Sequence, residues 1–184
     1  MPVPDFSPGE VLNAAAMDSI GLWKISATTT ITSGRIEVFN CFSANYDAYK
    51  IVFTNITAAN AATSQFELYD GTNWTSSGFY ATRMQVGYNT TTFSGVIAAN
   101  GAANVSLGMV VDPNATGGWI EIQNPYLTER TTFQFGGTDP RVGGNGAITG
   151  SGYHNADTSF TGFRLLGGGQ NITGGTVRVY GYRN

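Results

Sequence analysis

Apolar and polar residues alternate in short runs from Trp23 to the end of this chain, and few folds accept a period of two sustained over that length. Tyr49, Ile51 and Phe53 alternate with Lys50, Val52 and Thr54. Phe66 and Leu68 alternate with Gln65 and Glu67, and Tyr80, Thr82, Met84 and Val86 oppose Phe79, Ala81, Arg83 and Gln85. Val105, Leu107, Met109 and Val111 share one face, and Ile120 with Ile122, Phe133 with Phe135, Phe163 with Leu165 and Val177 with Val179 repeat the pattern. Successive side chains of a strand point to opposite faces, so each run reads as a half-buried strand. Roughly eight to ten such strands, separated by Gly, Asn, Asp and Pro, predict an all-β, jelly-roll-like antiparallel β-sandwich. No repeat of fixed period supports a propeller or β-helix. The closing run through Val177, Val179 and Tyr180 predicts a last strand built into a sheet, since an unpaired terminus frays.

Asp70-Gly71 predicts a hairpin turn between Phe66–Tyr69 and a strand after Trp74. Glycine concentrates late, at Gly136-Gly137, Gly143-Gly144, Gly150, Gly152 and Gly167-Gly168-Gly169. These positions predict loops at one end of the sandwich, or turns crowded against a symmetry axis.

The first residues differ. Ser7 can act as an N-cap, Pro8 suits the first helical position, and Glu10 completes a capping box. A short N-terminal helix is predicted over Val11 to Ile20, with Leu12, Ala15, Ala16 and Ile20 on its apolar face. About three helical turns are marginal alone in water. The face built from Val11, Leu12, Ala15, Ala16 and Ile20 is therefore the expected docking surface. The chain divides into an N-terminal arm and docking helix, 1–22, and a β-sandwich domain, 23–184.

Only 11% of the 184 residues are charged, against roughly 25% in ordinary soluble domains. Gly, Thr, Asn, Ala and Ser take up the difference, giving a neutral surface rich in hydroxyls and amides. Such a surface suits close packing against sibling chains or contact with glycans. The net charge is −3 and no basic run occurs, so a nucleic-acid partner is not expected. No apolar run is long enough for a membrane-spanning helix, and no secretory signal is visible. Cys41 stands alone in an apolar stretch and reads as a small buried hydrophobe.

Catalytic chemistry is thinly supplied. The single histidine, His154, has no Gly-x-Ser-x-Gly elbow to serve and no clustered metal ligands beside it, and reads as a polar loop residue. The acids that could act as paired carboxylates on a glycan are Asp70, Asp112, Glu121, Glu129, Asp139 and Asp157. Asp70, Asp112 and Asp139 stand beside Gly or Pro, where turn chemistry already explains them. Gly143-Gly144-Asn145-Gly146 lacks the Lys-Ser/Thr of a phosphate loop. No enzymatic activity, cofactor or metal is expected. Six Asn-x-Ser/Thr sequons, at Asn55, Asn73, Asn89, Asn104, Asn114 and Asn171, follow from a composition rich in Asn and Thr. Aromatics in polar loops are the best binding candidates: Trp74, Tyr88, Tyr126 and Tyr153, with Trp119 as a further aromatic that also suits a core. Sugar rings stack on such faces while neighbouring amides and hydroxyls bond their hydroxyls.

Three segments together resemble a β-sandwich module of tailed-bacteriophage virion proteins, the tail-fibre and minor structural proteins of marine and cyanobacterial phages. They are Ile20-Gly21-Leu22-Trp23-Lys24-Ile25 followed by Val38 to Val52, then Trp119-Ile120-Glu121-Ile122-Gln123-Asn124-Pro125-Tyr126, then Thr161 to Leu166 running into Gly174 to Asn184. The opening Phe6 to Met17 is similar to the segment that precedes such modules. The resemblance implies a non-enzymatic virion structural protein, a homotrimer displayed on the extracellular particle after assembly in the host cytoplasm. It implies contact with other virion proteins through the N-terminal arm. Two roles stay open: a tail-fibre or tail-tip module touching host-surface glycan, and a capsid decoration or head-fibre protein serving assembly alone.

Overall fold

Residues 22–28, 31, 33–88, 92–139 and 145–182 are described by a computed structural model. The helix expected over Val11 to Ile20, with its docking residues Val11, Leu12, Ala15, Ala16 and Ile20, lies outside them. The described chain is all-β. Its twelve strands are β1 (Leu22–Thr28), β2 (Ile36–Val38), β3 (Ala48–Ala58), β4 (Ala62–Tyr69), β5 (Phe79–Gly87), β6 (Phe93–Ala102), β7 (Val105–Val111), β8 (Thr116–Gln123), β9 (Arg130–Gly137), β10 (Asn145–Asp157), β11 (Gly162–Leu166) and β12 (Ile172–Tyr182).

Two antiparallel sheets pack face to face. The larger has eight strands in the order β1-β12-β3-β8-β9-β10-β5-β6, and the smaller has four, β2-β11-β4-β7. β5–β6 and β9–β10 pair as two neighbouring hairpins on one side of the large sheet. With those hairpins set aside, eight strands remain. By chain order the large sheet then runs first, eighth, third, sixth, and the small sheet second, seventh, fourth, fifth.

The alternation sets which face is inside. Tyr49, Ile51, Phe53, Val177, Val179, Ile120, Ile122, Phe133 and Phe135 from the large sheet meet Phe66, Leu68, Phe163, Leu165, Leu107 and Val111 from the small one, all buried. Tyr49 is buried yet keeps its hydroxyl partnered: the oxygen accepts from Ser43 N at 2.7 Å and donates to Ser43 O at 2.9 Å. A buried polar group so satisfied carries little desolvation penalty, and the pair ties the β2–β3 connection to the core. Cys41 is buried as expected, and burial pushes its thiol pKa up, away from reactivity.

Two expectations change. The Asp70-Gly71 turn forms, with Asp70 Oδ1 accepting from Thr72 N and Asn73 N at 2.7 and 2.6 Å. It does not join two strands of one hairpin. Tyr69 and Trp74 share only an isolated bridge, and the chain then crosses to β5 in the other sheet. A turn signal reports local geometry and not which sheet receives the next strand. Four of the late glycines lie inside strands: Gly136 and Gly137 in β9, Gly150 and Gly152 in β10. Packing explains them. Gly118 and Gly137 are paired across β8 and β9, and a Cβ at either would run into Met109 Sδ from β7. The pair opens a recess in the large sheet that the methionine fills. Gly143 and Gly144 lie outside the described residues; Gly168 and Gly169 form a turn at φ +57° and +99°, as expected.

The outer side of the small sheet holds a shielded ion pair. Arg164 Nε donates to Glu67 Oε2 at 2.7 Å, with Nη2 beside the same oxygen and Glu37 at 3.8 Å. The Arg164 guanidinium lies 4.3 Å from the Trp74 ring centroid, which lids the pair. Glu67→Ala leaves a shielded guanidinium without its main counter-charge, and chemical denaturation should register a loss of about 3–5 kcal/mol. Gly118→Ala should lower stability by about 1–3 kcal/mol in the same measurement, because Met109 and the Gly136 carbonyl must give way.

Candidate functional site

The strands β9, β10, β5 and β6 leave one face of the large sheet open, and its residues follow from register. Tyr153 of β10 lies opposite Tyr80 of β5 and Thr132 of β9, and Ser151 opposite Thr82 and Gln134. Thr149 lies opposite Met84, and Thr82 opposite Ile97 of β6. Residues directly opposite share a face. The open face is thus a field of hydroxyl and amide groups with tyrosines at one end and apolar residues along β6.

Two adjoining depressions mark it. One, of about 470 Å³, is lined by Tyr80, Thr82, Ile97, Asn100, Ser151 and Tyr153 among others. The second, of about 390 Å³, continues along Thr82, Met84, Gln134, Thr149 and Ser151. Among the described residues no carboxylate lines either. Tyr88, exposed, lies over Gly146, where an added Cβ would meet its ring at 2.9 Å. From Gly146 to Tyr153 is about 23 Å at the strand rise of roughly 3.3 Å per residue. Tyr153 lines the first depression, whereas Tyr88 lines neither, so the two candidate tyrosines are not brought together.

Within the trough of these two depressions the platform is Tyr80. Tyr153 stacks on it with centroids 5.4 Å apart and planes 18° apart. From the β9 side the Arg130 guanidinium covers Tyr153 at 5.0 Å. Tyr153 is the middle of a three-layer stack, and Tyr80 is the layer that faces the depression toward Ile97 and Asn100. Tyr80 lies in an alternating run, which reads as strand and not as a loop aromatic. Its cross-strand pairing with Tyr153 gives it its role, and one strand's sequence carries no signal of that pairing.

The other two aromatics picked from the sequence are elsewhere. Trp74 is half-buried on the outer side of the small sheet, packed by Tyr69 at 4.9 Å, Phe39 at 5.6 Å and Arg164. It borders a separate polar hollow of about 470 Å³ with Asp70, Asn73, Thr75, Ser76, Ser77 and Thr158. Tyr126, in the β8–β9 connection, is partly buried against the core. Trp119 lies across Gly136 on the outer face, with Lys50 Nζ 5.5 Å from its ring.

The acids are scattered. Asp70 and Asp112 each accept from backbone N–H groups two residues on, as turn residues do. Glu121 binds Lys50 Nζ at 3.0 Å and accepts from Tyr182 Oη at 2.9 Å; the Lys50 bond leads in holding its pKa below the ordinary value, with Tyr182 assisting. Asp139 is buried, while Glu129 and Asp157 are exposed. Among the described residues no group of three or more His, Cys, Asp and Glu could hold a metal ion. Among them, too, no helix is long and apolar enough to cross a membrane.

His154 is not a loop residue. It faces inward from β10, is 4% exposed, and stands edge-on between Phe79 and Phe160. One ring nitrogen, Nε2, lies 2.9 Å from Ser77 O, and Nδ1 accepts from Ala156 N. That pattern fits the neutral imidazole with its proton on Nε2. Burial leads in lowering its pKa below 6.5. The folded state then binds fewer protons than the unfolded one. Stability is full above about pH 6.5 and is lost as pH falls from there through the folded-state pKa. Thermal melts between pH 8 and pH 5 should show this decline. His154→Gln should remove that component of the slope, and the chain's one imidazole makes its titration by NMR unambiguous.

Comparison with models of known protein families, with curated proteins and with solved structures finds no match to this chain.

Proposed function

We propose that this protein is a non-enzymatic structural component of a bacteriophage virion, a surface-displayed tail-fibre or tail-tip module that touches glycan on the host cell. Its sandwich is read as a jelly roll, two interlocked Greek keys, for which the strand order described above is the support. The virion assignment rests on the three sequence segments that resemble phage modules. Trimeric assembly and anchorage through the N-terminal arm belong to the same proposal.

The observation that carries glycan contact is the open Tyr80 platform at the head of a carboxylate-free trough lined by Thr82, Asn100, Thr149, Ser151 and Gln134. A sugar's apolar face stacks on the ring while its hydroxyls meet side-chain amides and hydroxyls, beside Arg83 and with Arg130 behind Tyr153. The reading with two working carboxylates finds no support in this trough. A glycan array probed with the purified full chain should give hits that Tyr80→Ala weakens about tenfold, the scale of one aromatic stacking contact. Trp74→Ala should leave those hits in place. Hits indifferent to Tyr80 would move the contact off this face.

A capsid decoration or head-fibre protein with a purely stabilising role is the second reading. One observation favours it: Met84, Phe93 and Ile97 stand 56%, 71% and 70% exposed at the side of the trough, more apolar surface than a free sugar-binding face needs. Immunogold labelling of intact particles separates the two, since capsid labelling sinks the tail-tip role.

A further inference from the structure

The strand β6 ends the large sheet. It pairs with β5 on one side, and no described strand pairs with the other. Sheet edges normally carry a charge, a proline or a very short strand to stop further pairing. The ten residues of β6, Phe93-Ser94-Gly95-Val96-Ile97-Ala98-Ala99-Asn100-Gly101-Ala102, hold no charge and no proline. The exposure is concentrated in its first half: Phe93, Ser94, Gly95 and Ile97 are exposed, whereas Ala98 and Ala99 are buried. Of the six exposed large hydrophobics among the described residues, Met84, Phe93 and Ile97 lie in β5 and β6 and Tyr88 directly follows β5.

We propose that this edge pairs antiparallel with β6 of a second copy of the chain, about a two-fold axis through Gly95. The occupant follows from the order of residues. Antiparallel pairing centred on Gly95 sets Phe93 of one copy opposite Ile97 of the other, on both sides of the axis. It sets Ser94 opposite Val96, and glycine opposite glycine at the centre. Large apolar residues meet large apolar residues of the same face, and the only position where two side chains would meet themselves has none. Space is free there: a Cβ built on Gly95 finds no atom within 4 Å. An isologous contact requires this self-complementarity, whereas a foreign strand would need no such symmetry. The two large sheets become one, with Phe93, Ile97 and Met84 of both copies in a continuous apolar strip. Such cross-strand pairs are the unit of sheet stabilisation. The contact does not depend on what the trough binds. Added to a trimer it gives a hexamer, and added to single chains a dimer.

The test is native mass spectrometry of the full chain at micromolar concentration, joined to cysteine trapping. The wild type should show an even number of copies. Ile97→Lys, which places a charge opposite Phe93, should halve that number. Leu22→Lys, on the edge strand at the far side of the sheet, should leave it unchanged. Gly95→Cys should form a covalent dimer on mild oxidation, since opposed residues of an antiparallel pair lie about 4.5–5.5 Å apart, within disulfide reach. Buried Cys41 leaves the wild type uncrosslinked under the same conditions. If Ile97→Lys does not fold by circular dichroism, trapping of Gly95→Cys decides. A wild type with one or an odd number of copies, a mass unmoved by folded Ile97→Lys, or Gly95→Cys that stays uncrosslinked overturns the two-fold edge.

Discussion

An eight-stranded sheet must bury its inner face against only four strands, and that mismatch governs the rest of this molecule. The strand that resolves it is β7. It pairs with β4 along the small sheet and touches β3, β5, β6, β8, β9 and β10 across the interior. Its sequence Val-Ser-Leu-Gly-Met-Val-Val is buried at every residue but Ser106. Gly108, at φ +78°, bends the strand where Arg83 from β5 lies against it; the guanidinium donates to Ser106 O at 3.0 Å and Ser106 Oγ at 2.8 Å. On the side of the large sheet built from the two hairpins, β7 and Arg83 cross between the layers.

That arrangement explains why one half of the outer surface is paved and the other bare. Over β12, β3 and β8 the outer residues engage each other: Lys50 with Glu121 and Trp119, Tyr182 with Glu121, Arg178 with Thr54. Over β10, β5 and β6 the outer residues are short hydroxyls, Thr82, Thr149 and Ser151, with long apolar ones beside them. The half-buried tyrosine platform and the uncharged edge both lie on the two hairpins.

Much of this was legible in the residues. Alternation named the inner faces of β3, β7 and β12 because burial on one side of a pleated strand acts on every second residue, whereas in β5 both faces are mixed and neither was marked as inner. It could not name strand partners, which depend on contacts far apart in the chain. Hence Asp70-Gly71 was readable as a turn but not as a crossing between sheets, and Tyr80 was readable as a strand residue but not as Tyr153's stacking partner. Glycine misled for a related reason. At Gly137 its absence of a side chain makes room for Met109 of the opposite layer, and at Gly150 for Phe135 of the neighbouring strand, requirements set by residues distant in the chain. His154 looked like a polar loop residue because its neighbours Gly152 and Asn155 suit loops, yet the strand turns its ring into the core between Phe79 and Phe160.

The recess in β8 and β9 has a consequence for how the protein ages. A thioether is oxidised only where peroxide can reach the sulfur. Met84 is 56% exposed on the open face, and Met109 is 2% exposed, seated against glycines of the opposite sheet. The first sulfur reacts at a rate set by its chemistry, and the second only when the layers part. A sulfoxide oxygen formed on Met109 has no space to return to, so the opening that admitted it cannot fully close. Met84 and Met109 therefore keep separate time, one on the surface and one on the interior.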